Sequence, residues 1–511
     1  MTRTRRVART RSAGSLPDPA GLLRRLQRLR AAIDVEARQT LHDWRPRIAR
    51  RAFLPSARNL AHYLALRSRD LRALQAELVP WGLSSLGRSE ARVLPNLDAV
   101  IATLAAIAGD RTTARKRPSA REHLDGERRL AANTNELFGR RLGKRRIRIM
   151  VTMSSEAADD YAAVRDLLAR GMDCARINCA HDDQAAWERI AAHVRAAARE
   201  LRQSCRVLMD LSGPRLRIEA VRVGDGARRA MPGDRILFRR GVDVAPTAGN
   251  ATRESPFEIA CSVTPLFKAL RPGHRVFIDG GKIDAEVETL RSDGAVLLVT
   301  RTGPKGGRLA REKGLNFPDT EIALGALTDE DRDALDFVVA HADIIGYSFV
   351  QSPDDIAELQ DELSARTAKR ASLPALIAKI ETQRAVEQLP AIVVQAAGRH
   401  PFGVMIARGD LGVELGYERL AEIQEEILWL SEAAHIPVVW ATQVLERLVT
   451  KGTPSRAEMT DAAMGERAEC VMLNKGPYVA DAVGVLDDIL TRMQSHQRKK
   501  SAQLRELRVW Q

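Results

Sequence analysis

The sequence predicts an α/β protein: a (β/α)8 TIM barrel with an inserted antiparallel β lid domain and an N-terminal all-α region. One observation is a set of short apolar runs that alternate with amphipathic helical stretches: IRIMVTM, CARINC, RVLMDL, ADIIGYSF, PALIAKI, GVMIARG, IPVVWATQ and ECVMLN. These runs lack the period-2 alternation of half-exposed strands, which suits parallel strands buried on both faces. Polar residues also follow the runs, where a barrel carries its functional groups.

The other elements follow in chain order. Leucines at helical spacing predict the N-terminal helices, and a charged stretch poor in aromatic residues predicts a linker. Period-2 alternation between Gly and Asp turns predicts the inserted domain, which would hang over the barrel mouth. The predicted divisions are a basic disordered tail (1–16), a helical region (17–112), a charged linker (113–145), the barrel (146–217 and 313–494), a β-barrel-like lid domain (218–312) and a charged C-terminal tail (495–511).

The composition limits the possible binding partners and the compartment of the protein, but it does not identify one function. The formal net charge of +14 suits nucleic acid, an anionic membrane surface or phosphorylated small molecules. The five cysteines form no C-x-x-C pair, which is typical of free thiols in a reducing compartment, so we expect a cytoplasmic protein. No stretch is long and apolar enough to span a membrane. A stretch near the N-terminus could suggest a helix-turn-helix motif, but its spacing is loose. A plain helical bundle is therefore the favoured interpretation, and nucleic acid is not an expected partner.

Charged residues at two neighbouring strand ends predict a divalent-metal site. Lys379 and Glu381 are two residues apart in ALIAKIET, so both side chains point to one side of a strand end. Asp410 reaches the same rim one βα unit later, and two converging carboxylates suit Mg²⁺ or Mn²⁺. Gly409 allows a ligand carboxylate to approach the backbone closely. The alternative interpretation is a structural Lys–Glu ion pair beside a capping aspartate.

Further polar residues end the second, third and seventh runs. Arg176 in the second run has the planar fork that binds phosphate, and Asn178 shares its face. Asp210 ends the third run, and two arginines follow it after a Gly-Pro turn. Thr442 ends the seventh run, where its hydroxyl could relay a proton. His181 could stack on a base or lie at the surface.

Together these motifs resemble the pyruvate kinase family. CARINCAH, LMDLSGPRLR, REKGLNFP, GYSFV, LIAKIET, VMIARGDLGVEL, WATQVLE and TPSRAEMTDAA stand in that family's order and approximate spacing, over about residues 146–490. The resemblance implies phosphoryl transfer from phosphoenolpyruvate to ADP, giving pyruvate and ATP, as in glycolysis. The implied partners are therefore phosphoenolpyruvate and ADP, with a homo-oligomer as a further expectation.

The resemblance also implies a role for each matching residue. Glu381 and Asp410 would hold the divalent ion, and Lys379 would neutralise the transferring phosphoryl group. The amides of Gly409 and Asp410 would cradle the substrate carboxylate, while Thr442 would lie where the enol is protonated. The implied catalytic residues are Lys379, Thr442, Arg176 and Arg217; the substrate-binding residues are Arg176, Lys379, Gly409, Asp410, Thr442 and Ser348; the nucleotide-binding residues are His181, Arg217, Lys313 and Lys475.

One departure concerns the monovalent cation that the family binds. Members typically hold K⁺ through an Asn and a Ser of R-[LI]-N-F-S-H and an Asp plus a backbone carbonyl of D-[TL]-K-G-P-E. Asn178, Asp210 and Leu211 match this pattern, but Ala180 replaces the serine and Arg215 replaces the acid. A lost oxygen ligand and an added cation should weaken K⁺ binding by Coulomb repulsion, so we expect activity without K⁺. Alternatively, Arg215 points outward and the site is merely degenerate.

Other departures leave alternative functions open. The first strand reads VTMSSEAA where the family has T-I-G-P-A-S, and the eighth reads VMLNKGPYV in a shortened M-L-S-G-E-T-A-K-G. The lid reads FIDGGKI, and only a short charged tail stands where the family has a regulatory domain. One alternative is a paralogue that uses phosphoenolpyruvate with another acceptor. Another is a weakly active regulatory or binding protein that uses its basic helical N-terminus.

Overall fold

The computed structural model of the chain describes residues 16–140, 143, 145–223, 229–241, 257–322, 324–367 and 373–502. The predicted basic tail lies outside these residues except for Leu16, as do residues 503–511 of the predicted C-terminal tail. The chain forms two compact units. One comprises Met1–Ala131 with Glu432–His435, and the other comprises Ala132–Ser431 with Ile436–Gln511.

The first unit is helical, as predicted. Asp18 caps its first helix by accepting hydrogen bonds from the amides of Ala20 (3.0 Å) and Gly21 (2.8 Å), and Pro19 occupies the first turn. The apolar stripe of that helix, including Leu26 and Ile33, is buried. The helices are Pro19–Trp44, Leu54–Arg67, Arg72–Leu78, Val93–Ile107, Arg111–Ala114 and Ala120–His123, with 3₁₀ turns at Arg45–Arg47, Arg51–Phe53, Val79–Trp81 and Glu90–Arg92.

This unit contains a buried histidine, His435. His435 Nε2 lies 3.0 Å from the carbonyl oxygen of Ala91, which can only accept, so Nε2 carries the proton. Its Nδ1 lies 2.9 Å from Ser56 Oγ, and the serine hydroxyl donates to it. Burial, which favours the neutral ring, lowers the pKa of His435 from 6.5 to about 4.

This histidine predicts a loss of stability in acid. Between pH 6.5 and about 4 the unfolded chain binds a proton that the folded unit excludes, so stability falls as the pH falls through that window. From pH 7 to pH 5 we expect a loss of roughly 2 kcal/mol. Hydrogen-exchange protection factors in residues 54–107 measure it, with His435→Gln as the control that removes most of the pH dependence. An equal loss in the control would contradict this.

The structure differs from the charged linker predicted over residues 113–145. Besides Ala120–His123, this stretch contains the helix Asp125–Phe138. Ser119 and Glu122 form a capping box, and the helix Asp125–Phe138 has an apolar face that ends in the buried Leu137 and Phe138. These two side chains belong to a buried cluster with interior residues of the barrel. The charges that suggested a linker occupy the other face of an amphipathic helix.

The second unit begins as a parallel sheet. Its first strands are β1 (Arg148–Thr152), β2 (Cys174–Asn178) and β3 (Arg206–Asp210), and their side chains are buried almost throughout. Asn178 pairs in register with Asp210, so β2 and β3 end at one rim. The helices that follow β1 and β2 are Tyr161–Arg170 and Gln184–Glu200, with a 3₁₀ turn at Ser155–Ala158.

The predicted β insertion follows β3. Its strands are β4 (Ala220–Val223), β5 (Arg235–Arg240), β6 (Phe257–Cys261), β7 (Arg275–Ile278), β8 (Ile283–Arg291), β9 (Gly294–Thr302) and β10 (Leu315–Asn316), with one helix, Thr264–Ala269. They form one sheet in the order β10-β7-β8-β9-β5-β6-β4. Every pair is antiparallel except β5 and β6, which run parallel. The inward residues of the alternating pattern, such as Phe238 and Ile283, form a separate core.

Five more strands complete the barrel: β11 (Ile344–Tyr347), β12 (Ala375–Ile380), β13 (Phe402–Ala407), β14 (Val438–Ala441) and β15 (Cys470–Leu473). The closed order β1-β15-β14-β13-β12-β11-β3-β2 confirms the predicted (β/α)8 barrel, since all eight pairings are parallel. The associated helices are Asp329–His341, Pro353–Thr367, Gln383–Glu387, Leu389–Ala397, Arg408–Leu415, Tyr417–Ala433, Glu446–Lys451, Arg456–Met464 and Val479–Met493, with a 3₁₀ turn at Gly465–Arg467. A short hairpin follows, β16 (Gln497–Arg498) and β17 (Ser501–Ala502).

The sequence predicted free cysteines and no membrane-spanning segment. All five cysteines are free thiols. Across the described ranges, no helix has both the length and the apolar character needed to cross a bilayer. The cytoplasmic location stays a prediction.

Candidate active site

The carboxyl rim of the barrel gathers a buried cluster of charged side chains. Arg176 Nε donates to Asp210 Oδ2 at 2.9 Å, and its Nη1 donates to Thr152 Oγ1 at 3.0 Å. Lys379 Nζ lies 3.4 Å from Asp210 Oδ2 and 3.1 Å from Glu381 Oε1. The predicted K-x-E spacing thus places both side chains at the end of β12, facing the end of β3. All four ionisable residues are buried.

Burial and neighbouring charges act in opposite directions on the two buried carboxylates. Burial alone would raise the pKa of Asp210, but Lys379 and Arg176 hold it below its usual value. Burial raises the pKa of Glu381, and the nearby Asp410 adds to this while Lys379 opposes it. Asp210 is therefore the fixed anion of the cluster, whereas Glu381 carries an electrostatic penalty that a further cation would relieve.

The oxygen atoms of Glu381 show which part of it is free to bind. Its Oε2 accepts a hydrogen bond from the Phe349 amide at 2.6 Å. Its Oε1 is buried and is ion-paired with the Lys379 ammonium at 3.1 Å, with no further hydrogen-bond partner among the described residues. No group of three or more His, Cys, Asp and Glu side chains in the described part of the chain could hold a metal ion. Glu381 and Asp410 supply carboxylate oxygens, so a hard cation held by these two residues would take its remaining ligands from water or substrate oxygens.

Ser348 and Leu211 connect the lysine to the loop after β3. Lys379 Nζ donates to Ser348 Oγ at 2.8 Å, and that hydroxyl donates to the carbonyl oxygen of Leu211 at 2.6 Å. Gly213 has a φ of +64°, and a β-carbon there would lie 2.9 Å from a ring carbon of Phe349. This loop therefore packs against Ser348 and Phe349 only because glycine occupies that position.

Asp331 fixes the same loop, and the sequence did not predict this role. Its carboxylate accepts hydrogen bonds from the amides of Ser212 (2.8 Å) and Gly213 (3.1 Å). It also forms a capping box with Thr328 at the start of Asp329–His341. The T-x-x-D signal for the cap is visible in the sequence, but a second use of the same carboxylate depends on a tertiary contact.

Gly409 and Thr442 meet where β13 and β14 end. The Gly409 amide donates to Thr442 Oγ1 at 2.8 Å. Thr442 has a φ of +63°, a left-handed conformation that is rare for a β-branched residue. Asp410 lies in the first turn of Arg408–Leu415. The predicted substrate-binding amides are therefore at a helix N-terminus, where backbone N–H groups favour an anion.

The predicted nucleotide residues are only partly brought together. Burial lowers the pKa of His181, and Lys475, Arg215 and Arg217 add to this, so these cations lie around the histidine. Arg217 Nη1 donates to Glu312 Oε2 at 2.9 Å. His181, Arg215 and Arg217 line a cleft of about 870 Å³ that also reaches Phe349, Asp410 and Glu414.

Lys313 and the predicted monovalent-cation residues are arranged differently. Lys313 Nζ lies 3.0 Å from Asp279 Oδ2 in the inserted domain, and Lys313 does not line the cleft. Asn178 Oδ1 accepts from the Ala180 amide at 3.3 Å. Arg215 is exposed at the cleft, but its charge is close enough to contribute to the low pKa of Asp210.

A parallel barrel with charged groups at its carboxyl rim, and a β domain inserted after its third strand, defines the chain as a TIM-barrel enzyme. The family model "Pyruvate kinase, barrel domain" matches residues 144–483. The chain therefore belongs to the pyruvate kinase family.

Individual relatives agree with this assignment. A pyruvate kinase of Methylorubrum extorquens is 32% identical over 361 residues, covering 68% of this chain and 69% of that protein. One from Agrobacterium vitis is 31% identical over 362 residues, covering 69% and 70%. A crystal structure of a pyruvate kinase from Cryptosporidium parvum matches with a TM-score of 0.60 and 27% identity, covering 69% of this chain and 70% of that one.

The buried cluster predicts that Asp210 is important for stability. Asp210→Asn leaves Arg176 and Lys379 buried without their shared anion, so we expect the free energy of unfolding to fall by about 3 kcal/mol. The control is Asp481→Asn, which breaks an exposed ion pair with Arg170 and should cost less than about 1 kcal/mol. Denaturant unfolding measures both variants. Equal losses would mean that the rim cluster is not held by Asp210.

Proposed function

We propose that this chain transfers the phosphoryl group of phosphoenolpyruvate to ADP, giving pyruvate and ATP. The observation that carries the proposal is the position of Lys379. Its ammonium lies 3.1 Å from a Glu381 oxygen that has no other hydrogen-bond donor among the described residues. A fixed cation beside a carboxylate suited to a metal ion is what phosphoryl transfer needs, because this reaction depends on positioning and charge neutralisation.

The rim residues have separate tasks in this proposal. Lys379 neutralises the phosphoryl oxygens, and Arg176 presents its guanidinium to the same group from β2. Ser348 holds the lysine in place through its 2.8 Å hydrogen bond. Mg²⁺ or Mn²⁺, held by Glu381 and Asp410, supplies positive charge beside the phosphoryl and enolate oxygens when bound.

The substrate carboxylate is assigned to the N-terminus of Arg408–Leu415. The amides of Gly409 and Asp410 favour an anion there. The Gly409 amide donates to Thr442 Oγ1. A carboxylate that takes over this amide releases the threonine hydroxyl, which then faces the enolate to be protonated.

The nucleotide is assigned to the cationic side of the cleft. His181, Arg217 and Lys475 are the proposed phosphate and base contacts. The support is that the charges of Arg217 and Lys475 lower the pKa of His181, so both cations lie near it. Lys313 can reach a nucleotide only by leaving Asp279, to which it is bound at 3.0 Å. A lid movement would bring about that exchange.

A catalytic test compares Lys379→Met with Lys282→Met, which removes an exposed lid lysine. We expect wild-type chain with Mg²⁺ to form pyruvate from phosphoenolpyruvate and ADP. Lys379→Met should lose at least about 100-fold in kcat because the phosphoryl charge is no longer neutralised, whereas Lys282→Met should retain activity. A wild-type chain that turns over no nucleoside diphosphate would refute the proposed function.

We also propose that K⁺ is not required. The support is the electrostatic contribution of the Arg215 guanidinium to Asp210, the carboxylate that would otherwise bind the ion. A fixed cation at this place supplies the charge and repels a mobile one. In this proposal the oxygen atoms of Asn178 and Leu211 accept hydrogen bonds from Ala180 and Ser348 instead of binding an ion.

Arg215→Glu combined with Ala180→Ser tests this proposal. The double variant restores an acid and an oxygen ligand, so we expect its activity to rise at least about tenfold, worth about 1.4 kcal/mol, when K⁺ replaces tetramethylammonium. The wild type should show no such difference. Arg291→Glu, at an exposed lid arginine, is the charge-matched control. A strict K⁺ requirement in the wild type would overturn the idea.

A further inference from the structure

The end of β14 adopts an unusual backbone conformation. Thr442, Gln443 and Leu445 have φ values of +63°, +58° and +49°. Left-handed backbone costs an L-residue free energy, and more so when the side chain is β-branched. Such a conformation persists only when surrounding contacts over-determine it, and such residues cluster at functional sites. The question is what holds Thr442 there.

An arginine from the neighbouring βα unit binds the backbone at this point. Arg408 Nε donates to the carbonyl oxygen of Ala441 at 2.9 Å, and its Nη2 donates to that of Thr442 at 2.7 Å. Nη2 also donates to Asp461 Oδ2 at 2.8 Å, and Nη1 pairs with the other carboxylate oxygen. The guanidinium carbon lies 4.4 Å from the ring centre of Trp440, whose Nε1 donates to Asp461 at 3.3 Å.

This arrangement restrains Thr442 in a way that substrate does not disturb. The side chain of Thr442 is restrained by the hydrogen bond from the Gly409 amide to its Oγ1. In the proposed function that amide would bind the substrate carboxylate instead. The backbone restraint is the fork of Arg408 on two consecutive carbonyl groups, and it does not use the Gly409 amide. A planar, delocalised guanidinium can hold two carbonyl groups and a carboxylate at once, whereas an ammonium cannot keep that geometry.

We propose that Arg408, oriented by Asp461, is a positioning residue that fixes the backbone of Thr442 so that its hydroxyl protonates the enolate. The proposal rests on the proposed function and adds a residue pair to it. Neither residue touches the substrate. They keep the Thr442 hydroxyl in position once the Gly409 amide binds the substrate carboxylate.

Phosphoryl transfer breaks the bond between phosphorus and the enol oxygen and forms one to the terminal phosphate of ADP, leaving an enolate. The Thr442 hydroxyl then passes its proton to C3 of the enolate and takes one from solvent water. Pyruvate leaves with one solvent-derived proton in its methyl group, and the threonine is unchanged.

The two halves of this reaction can be measured separately. Phosphoryl transfer is measured as ATP formed in a single turnover from phosphoenolpyruvate and ADP. The proton step is measured as deuterium incorporation into the methyl group of pyruvate in D₂O with Mg²⁺ and inorganic phosphate. A residue needed only for folding would lower both rates together.

The test variant is Arg408→Lys, which keeps the charge but removes the fork. Arg467→Lys is the matched control, because Arg467 is equally buried (13% exposed against 11% for Arg408) and pairs with Glu425 on the same barrel. Relative to this control, we expect Arg408→Lys to lose at least about tenfold in methyl exchange, with single-turnover ATP formation within about threefold. Thermal unfolding checks that both variants are folded.

A second variant covers the case in which Arg408→Lys does not fold. Asp461→Asn leaves the arginine in place but weakens its orientation, so methyl exchange should again fall more than ATP formation. A parallel fall in both rates, or methyl exchange equal to that of Arg467→Lys, would overturn the role of Arg408. A wild-type chain that forms no ATP would instead overturn the proposed function itself, so the two failures are distinguishable.

Discussion

The carboxylate of Asp210 is the charge on which the barrel rim depends. It is buried at the end of β3, and burying an anion is costly unless cations and hydrogen bonds compensate it. Arg176 binds it through two nitrogens, and Lys379 lies 3.4 Å away. These cations could not be buried side by side without an anion between them. One shared ion cluster therefore joins the ends of β2, β3 and β12 at the rim.

This cluster also determines what Glu381 can do. Lys379 divides its charge between Asp210 and Glu381, so Glu381 is compensated only in part and burial raises its pKa. One of its oxygen atoms accepts from the Phe349 amide, which fixes the carboxylate in space. The other is turned towards the lysine without a hydrogen bond to any described residue. A rigid, under-compensated carboxylate is prepared for a cation before one arrives, which reduces reorganisation during the reaction.

Local patterns in the sequence predicted what depends on local physics. The eight buried parallel strands and the inserted β domain were recognised because the hydrophobic pattern of each strand reflects which of its own side chains are buried. The K-x-E spacing placed Lys379 and Glu381 correctly for the same reason. The helix Asp125–Phe138 was missed because charge density hid its apolar face. The contacts of Asp331 and Arg408 were missed because each side chain binds backbone groups far away in the sequence, N–H groups for Asp331 and carbonyl groups for Arg408, and such groups have no sequence signature.

The charged groups around the barrel rim and in the inserted domain fall into two classes that differ in how easily they exchange partners. Asp210 and its cations are desolvated, so separating them would cost several kcal/mol. Arg217 with Glu312, and Lys313 with Asp279, are partly exposed pairs of small net value. In the proposed function, phosphate groups of the nucleotide would replace the carboxylates of Glu312 and Asp279 at little cost while the rim stays fixed. A nucleotide that enters this cleft would therefore rearrange the inserted domain and leave the geometry around Asp210 unchanged.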